Sequence, residues 1–393
     1  MMKIGVYGGT FNPPHRGHVL AAASAVRELK LDRLIVMPAG TPPHKEVPPG
    51  NPEGEERLAL ARLAFASVNR AEVSDHEVAS EEKDYTIDTL SWLSERSPGD
   101  ELILITGGDM FRTLPDWKCG DEILRRFSVA VLAREFEEEK ELSDLAETYR
   151  SRFGATVYVP RAEVFPVSST QIREKLPLRQ GKELLTEEVY AEIIRRRLYG
   201  ARPDFEWLRE KAYAMLKPSR IPHVRGCEQE AVRLARFWGE DPEEAAEAGI
   251  LHDVTKKLDL DGQLLLCRKY DIVIDTLEAR SDKLLHSKTG AAVARHEFGA
   301  SDAVVTAITW HTTGRPGMSR LEKILYLADY MEPTRSFDGV DELRRLSYLD
   351  LDRAMELGLS MSISDLKARH REIHPMTEKA MEYYNSGKDT TVC

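Results

Sequence analysis

Cysteine is scarce in this chain. There are four, Cys119, Cys227, Cys267 and Cys393, and no two form a CxxC pair. That spacing excludes a disulfide framework and a cysteine zinc site and fits reduced thiols. Long hydrophobic runs are missing as well, since nothing approaches the roughly 18–20 apolar residues that cross a bilayer. One lysine and the short stretch Ile4–Tyr7 before a glycine pair are too little for a secretory leader. No membrane partner and a cytoplasmic location are therefore expected. Positive charge is in deficit, with 66 acidic against 55 basic residues and a net charge of −11. That argues against a nucleic-acid partner, which requires clustered positive charge. The remaining composition, 42% hydrophobic and 31% charged, is that of an ordinary globular chain. At roughly 150 residues per domain, a chain of 393 residues implies two or three domains.

The two halves are written differently. Up to about residue 200, short runs of Ile, Val and Leu alternate with amphipathic stretches. The runs Ile4–Tyr7, Leu34–Met37, Leu102–Thr106, Ser128–Leu132 and Thr156–Val159 read as strands, and Val19–Leu29, Glu56–Val68 and Thr86–Leu93 read as helices. Strands apolar at nearly every position, separated by helices, predict an α/β doubly wound parallel sheet. The acidic stretch Glu135–Glu141 reads as a solvated surface segment. Three arginines, Arg195–Arg197, followed by Gly200 and Pro203, mark a helix end and a domain boundary. The basic triplet suits the helix dipole there. Beyond it, apolar positions recur at three and four in Phe205–Met215, Val224–Trp238, Ala245–Leu251, Thr289–Phe298, Ala303–Trp310 and Leu321–Met331. Residues 204–393 are expected to form an all-α domain, and 1–200 the α/β domain.

Directly after the first strand stands GGTFNPPHRGH, Gly8 to His18. Gly8 and Gly9 let backbone amides approach phosphate oxygens, and the helix that follows offers its N-terminal N–H groups to negative charge. His15 and His18, three apart, emerge on one face of the first turn and can donate to oxygens that gain charge in phosphoryl transfer. The string resembles the HxGH nucleotidylyltransferase superfamily. Further segments in order narrow the resemblance to the nicotinate mononucleotide adenylyltransferase family over residues 1–200. These are MPAGTPPHK (Met37–Lys45), DYTIDTL (Asp84–Leu90), TGGDMFRTLPDW (Thr106–Trp117), Arg134 after the next strand, and VSSTQIR (Val167–Arg173).

The resemblance implies ATP bound by Gly8, Gly9, Thr10, Phe11, His15, His18, Ser169, Thr170 and Arg173. It implies nicotinate mononucleotide bound by Lys45, Tyr85, Thr86, Asp109, Trp117 and Arg134, with His15, His18 and Arg173 catalytic. Mg²⁺ would accompany ATP. Ser169 or Thr170 is expected to cap its helix while Arg173 reaches the phosphates. Taken singly, Trp117 reads as a core aromatic, Asp109 as a turn residue and Lys45 as a surface charge; their order after successive strands is what carries the resemblance. The nucleophile in such a reaction is already an anion, so no general base is required.

The helical half carries a second ordered series: RIPH (Arg220–His223), LHDVTK (Leu251–Lys256), LHSKTGA (Leu285–Ala291), WHTTG (Trp310–Gly314) and LADYMEP (Leu327–Pro333). Imidazoles and carboxylates on facing helices suit Fe, Mn or Zn, and an aspartate next to a histidine can bridge two metals. His44, His76, His296, His370 and His374 lack such surroundings and are assigned no metal. The series resembles HD-domain phosphohydrolases of the YqeK type, which cleave diadenosine tetraphosphate symmetrically into two ADP. It continues to the tail, where Ile373-His374-Pro375 precedes a helical stretch. The resemblance implies metal ligands His223, His252, Asp253, His286, His311 and Asp329 for one or two Fe or Mn ions, with Asp253 and Lys256 catalytic. Lys256 also reads equally well as an exposed helix lysine. Thr312, Thr313 and Gly314 would shape the substrate mouth, and the absence of a GYP triplet disfavours a cyclic-dinucleotide phosphodiesterase.

The expectation is thus a bifunctional enzyme with ATP, nicotinate mononucleotide and diadenosine tetraphosphate as partners, its oligomeric state left open. For the first half, another HxGH enzyme acting on a phosphopantetheine or choline substrate is the alternative. For the second, a mononucleotide phosphatase or a non-catalytic nucleotide-sensing module remains open.

Overall fold

Six short strands form one all-parallel sheet in the computed structural model, which describes residues 1–40, 51–80, 85–133, 136–163 and 165–386. They are β1 (Lys3–Gly9), β2 (Arg33–Pro38), β3 (Ala71–Val73), β4 (Glu101–Gly107), β5 (Ser128–Leu132) and β6 (Val157–Tyr158), in the order β3-β2-β1-β4-β5-β6. Helices α1 (Arg16–Glu28), α2 (Gly54–Phe65), α3 (Thr86–Arg96), α4 (Gly108–Thr113), α5 (Gly120–Arg126), α6 (Phe136–Phe153), α7 (Ser169–Lys175) and α8 (Glu187–Arg196) complete this unit, Met1–Arg202.

The strands are apolar on both faces because both are covered. Ile4, Val6, Leu102, Leu104, Val129 and Val131 share a core with residues of α3, α5 and α6. The alternate positions Leu34, Val36, Ile103 and Ile105 are also buried, on the side where α1 and α2 lie against β1 and β2. Each such burial contributes about 1.5–3 kcal/mol. Gly5 is required by crowding, since a Cβ there would sit 2.5 Å from Leu31 and 2.9 Å from Ile105. The strand order runs outward in both directions from β1 and β4, so their carboxyl ends flank the crevice where such sheets bind ligands.

The doubly wound sheet is as expected, with three local differences. β3 was not foreseen, and at three residues it has no run to betray it. Helix α8 ends at Arg197, which itself takes the left-handed conformation (φ 55°) two residues before Tyr199 does the same (φ 59°). Arg195 and Arg196 both pair with Glu192, at 2.6 and 2.5 Å, so two of the three arginines share a local carboxylate besides the helix end. In the acidic stretch, Arg112 binds Glu138 and Glu141, and Arg161 binds Glu139.

The second unit, Pro203–Cys393, is helical throughout its described residues. Its helices are α9 (Phe205–Ala214), α10 (Ile221–Trp238), α11 (Pro242–Leu251), α12 (Leu260–Lys269), α13 (Asp282–Phe298), α14 (Asp302–Trp310), α15 (Arg320–Met331), α16 (Val340–Ser347), α17 (Leu351–Ala368) and α18 (Pro375–Asn385). Of these, α12, α16 and α17 were not foreseen. The centre is made where α10 packs on α11 and α15, and α14 packs on α11, α13 and α15. Buried Ala231, Ala245, Ala248 and Ala328 keep these helices close. At Gly249 a Cβ would come within 2.6 Å of the Glu228 backbone, so α10 and α11 approach there main chain to main chain.

Each unit has its own buried core, so each should fold alone. Expressing residues 1–201 and 203–393 separately is expected to yield two soluble pieces, each melting cooperatively. Insolubility of either piece, or folding only on mixing, would show that the units depend on one another.

Candidate functional site

In the first unit the site begins at the end of β1. Gly8 lies opposite Met37 and Gly9 opposite Pro38, so the chain leaves the sheet at its carboxyl edge. A Cβ on Gly8 would meet nothing within 4 Å, which leaves the backbone open to a ligand on that side. The loop turns through Phe11 (φ 47°) to His15, the N-cap of α1. The two histidines form the cap between them: His18 N–H donates to His15 Nδ1 (3.3 Å) and His15 N–H donates to His18 Nδ1 (3.1 Å). Their rings stack with centroids 3.6 Å apart. Because both Nδ1 atoms accept, the proton of each neutral imidazole lies on Nε2, and each ring is a donor at that end.

Helix α7 returns to the same loop. Ser169 Oγ donates to the Pro13 carbonyl (2.9 Å), and Arg173 donates to the Asn12 carbonyl (2.7 Å) and to Thr170 Oγ1 (3.0 Å). The cap of α7 is Ser168, in a reciprocal box with Gln171, so the expected Ser169 or Thr170 cap is corrected. Ser168 holds the extended backbone that an N-cap requires, whereas Ser169 and Thr170 are already helical and their hydroxyls serve the loop and Arg173. At the other side of β1, Tyr85 is the N-cap of α3 and Thr86 its first residue. Trp117, after the turn that follows α4, is half-buried against the sheet core, with its Nε1 donating to Thr113 Oγ1 (3.3 Å). Asp109 lies in the first turn of α4, directly beyond β4. Lys118 sits 3.9 Å over the Tyr85 ring. Lys45 and Arg134 lie outside the described residues.

In the second unit six side chains from five helices converge. His223 comes from the first turn of α10, His252 and Asp253 from the end of α11, His286 from α13, His311 from the end of α14 and Asp329 from α15. They form two groups whose ligand atoms all lie within 4.8 Å of one another, His223–His252–Asp329 and Asp253–His286–His311. Asp253 joins them. Its Oδ2 is 3.4 Å from His252 Nε2 and 3.9 Å from His223 Nε2, while its Oδ1 is 3.3 Å from His286 Nε2. Asp329 Oδ1 is 2.9 Å from His223 Nε2 and 3.7 Å from His252 Nε2.

The other ring nitrogens fix the tautomers. Nδ1–H donates to the carbonyl three residues back at His252 (Gly249, 2.8 Å), His286 (Lys283, 2.8 Å) and His311 (Ile308, 2.6 Å), and to Glu332 Oε1 at His223 (3.0 Å). Rings held in this way turn Nε2 into the cluster, and His286 and His311, which stay neutral, present lone pairs there. His286 Nε2 and His311 Nε2 then face each other at 3.1 Å as two acceptors, with the Lys256 ammonium 2.8 Å from the first. His223 Nε2, His252 Nε2 and Asp253 Oδ1 are buried without a hydrogen-bond partner. Such an orphaned donor set fits divalent metal, and nothing in either group is a thiolate.

The charges agree with that fit. Burial pushes His286 down, and burial with His286 and His252 nearby pushes His311 down to about 3, so both rings stay neutral. Burial by itself would raise the Asp253 and Asp329 carboxyls, but the facing imidazoles hold both well below the usual carboxylate range. At His252 burial is outweighed by Cys227 and Asp253, and its pKa is raised well above the ordinary value. A proton there is what an arriving metal would displace.

Residues 6–175 match the cytidylyltransferase-like family and residues 220–334 match the HD domain. The chain is 36% identical over 203 residues to the probable nicotinate-nucleotide adenylyltransferase of Shouchella clausii, covering 51% of this chain and 98% of that protein. It is 40% identical over 174 residues to the symmetrical bis(5'-nucleosyl)-tetraphosphatase of Halalkalibacterium halodurans, covering 43% of this chain and 92% of that protein. The Bacillus subtilis protein of the same name is 33% identical over 184 residues, covering 46% of this chain and 98% of that protein. The chain belongs to both families.

The adenylyltransferase-family unit and the HD unit each contain residues that motif reading passed over. Arg220 donates to Asp253 Oδ2 and lies 3.9 Å from Asp329 Oδ1; Arg335 is 3.5 Å from the same Asp329 atom. Both are basic neighbours of the metal ligands: Arg220 opens the RIPH string, and Arg335 lies two residues beyond the LADYMEP string. Lys256 is half-buried and not an exposed helix lysine. Its Nζ donates to His286 Nε2 (2.8 Å) and burial lowers its pKa. Thr312 Oγ1 lies 3.3 Å from His311 Nε2, beside the cluster, and the Thr313 carbonyl accepts from Thr377 of α18. A third group, Asp275, Glu278 and His374, also lies within ligand distance. There His374 Nδ1 accepts the Met376 N–H (3.1 Å), which leaves the proton on Nε2, 3.0 Å from Asp275 Oδ2. That ring is a clamp with no lone pair to offer a metal.

Asp253→Ala is expected to remove bound metal from the HD unit more completely than His311→Ala does, because only Asp253 reaches both groups. Metal content of purified proteins by atomic emission is the check, and equal retention in the two variants would refute the bridging role.

Proposed function

We propose that this one chain both makes deamido-NAD from ATP and nicotinate mononucleotide and splits diadenosine tetraphosphate into two ADP. The observation that carries the reading is the contrast in histidine tautomers: rings that donate at the first site and rings that accept at the second.

At the first site, the mononucleotide's phosphate oxygen attacks the α-phosphorus of ATP. The new P–O bond forms as the bond to the β-phosphate oxygen breaks, and pyrophosphate leaves. No proton has to be taken, so the protein's work is placement and charge stabilisation. Gly8, Gly9, Thr10 and Phe11 offer open backbone, and the first turn of α1 adds its N–H groups. His15 and His18 donate from Nε2 to oxygens that gain charge. Arg173, with Ser169 and Thr170, holds the loop and meets the leaving phosphates, which carry Mg²⁺ with them. The N-terminus of α3 at Tyr85 and Thr86 suits the nicotinate carboxylate, Trp117 offers a face for its ring, and Asp109, Lys45 and Arg134 complete the mononucleotide set.

At the second site, water adds to one of the two central phosphorus atoms, the oxygen bridging them leaves with the other, and two protons are released as both ADP products ionise. His223, His252 and Asp329 would hold one metal, His286 and His311 another, with Asp253 on both. We read the ions as Fe or Mn from the imidazole and carboxylate donors. Bound there, they would draw the phosphate chain in and favour attack by water. Lys256, Arg220 and Arg335 are the cations beside them for the remaining phosphate charge.

The test is to incubate the purified chain with each substrate set, following deamido-NAD and ADP by chromatography. His18→Ala should lower deamido-NAD formation by about 100- to 1,000-fold, the usual loss for one transition-state donor, with ADP release unchanged. Asp253→Ala should do the reverse. Near-normal adenylyl transfer by His18→Ala would overturn the first assignment, and full hydrolysis after chelation would overturn the second.

A further inference from the structure

Arg57 of α2 belongs to no motif and is only 2% exposed. A charged side chain so deep in a protein normally meets a carboxylate. Arg57 meets carbonyls instead. Its Nη1 donates to Thr10 O (2.9 Å) and Ala39 O (2.7 Å), and its Nη2 donates to Gly40 O (2.6 Å). Burial lowers its pKa, with no described carboxylate among the causes.

The three carbonyls belong to two loops at one sheet edge. Thr10 follows β1 inside the phosphate cradle; Ala39 and Gly40 follow β2, and Ala39 N–H also donates to Gly9 O (2.9 Å). In a trans peptide the C=O and the following N–H point opposite ways. A Thr10 carbonyl turned towards the guanidinium therefore turns the Phe11 N–H away from it, and Ala39 does the same for the Gly40 N–H. Hydrogen bonds from a cation polarise those amides and make them better donors. The second loop has nowhere to slide, because a Cβ on Gly40 would already lie 2.0 Å from the Glu77 carbonyl oxygen. Asn12, two residues beyond Thr10, is pinned from the other side by Arg173 and by the Tyr199 hydroxyl (2.8 Å).

We propose that Arg57 is a positioning residue for adenylyl transfer. From behind the site it sets the spacing of the loops after β1 and β2 and turns their amides towards the phosphate chain, without touching substrate. The inference rests on the adenylyl-transfer reading of the first site.

The experiment uses the full chain with two substitutions. Arg57→Lys keeps the charge but loses the fork that spans both loops. Its kcat for deamido-NAD formation should fall about 10- to 100-fold, the loss expected when catalytic groups move by about 1 Å, while KM for nicotinate mononucleotide stays near wild type. Arg57→Ala should fall further and regain turnover when guanidinium ion is added at sub-denaturing concentration. Thermal melts give the folded fraction of each variant. Wild-type kcat in Arg57→Lys overturns the inference and leaves the site reading intact. So does a loss that only follows the folded fraction and is not restored by guanidinium. Failure of the wild-type chain to make deamido-NAD overturns the site reading, and this inference with it.

Discussion

Asp253 has both carboxylate oxygens out of water, one turned to His286 and the other to His252 and His223. A buried, uncompensated carboxylate costs several kcal/mol, so the surroundings must answer it. Five helices do so, each ending or beginning at the cluster, with Arg220 and Lys256 adding positive charge from the flanks. The close approach of α10 and α11 at Gly249 places His252 and Asp253 on successive positions at the centre. Packing in this unit and chemistry in this unit are therefore one constraint: small residues between helices allow the ligands to meet.

The first unit answers a different demand with the same residue type. An anion needs donors, and the paired histidines of α1 give up their Nδ1 lone pairs to each other's backbone so that their protons stand at Nε2. A cation needs lone pairs, and His252, His286 and His311 of the helical unit give their Nδ1 protons to carbonyls so that Nε2 is left for the metal. The choice is made by the backbone in both cases. An N-cap offers N–H groups that donate to Nδ1, whereas a carbonyl three residues back accepts from Nδ1–H at His252 and His311, the C-caps of α11 and α14, and at His286 early in α13. The group that Nδ1 meets thus decides which ligand charge the ring can serve.

Much of this was legible beforehand. Apolar runs in β1, β2, β4 and β5 announced a parallel sheet, and the ordered histidine–aspartate strings named the six residues that the fold gathers. What escaped lacked local signal. β3 is three residues long and half-exposed; α16 and α17 have helical periodicity but no motif to draw attention to them. Ser168 was passed over for its neighbours because three adjacent hydroxyl residues are equivalent until the backbone shows where the helix begins. Arg57 did carry a signal: with Ala61 and Ala64 it falls on the buried stripe of α2, where a charge needs a reason. Arg220 is the first residue of a recognised string and would have been found by asking what balances a buried aspartate.

Three of the four imidazoles in the HD unit take their orientation from a carbonyl three residues earlier in the same chain segment. Such a ligand is self-contained: the helix end that carries the ring also aims it. His223 alone relies on Glu332, 109 residues away and fully buried, which in turn accepts from the Thr334 backbone and hydroxyl. The cluster therefore has three members that are ready as soon as their helices close and one that waits for α10 to meet the segment after α15. Drift in the distant parts of this unit would be felt first at His223, and a helical protein acquiring such a centre could gain the other three one helix end at a time.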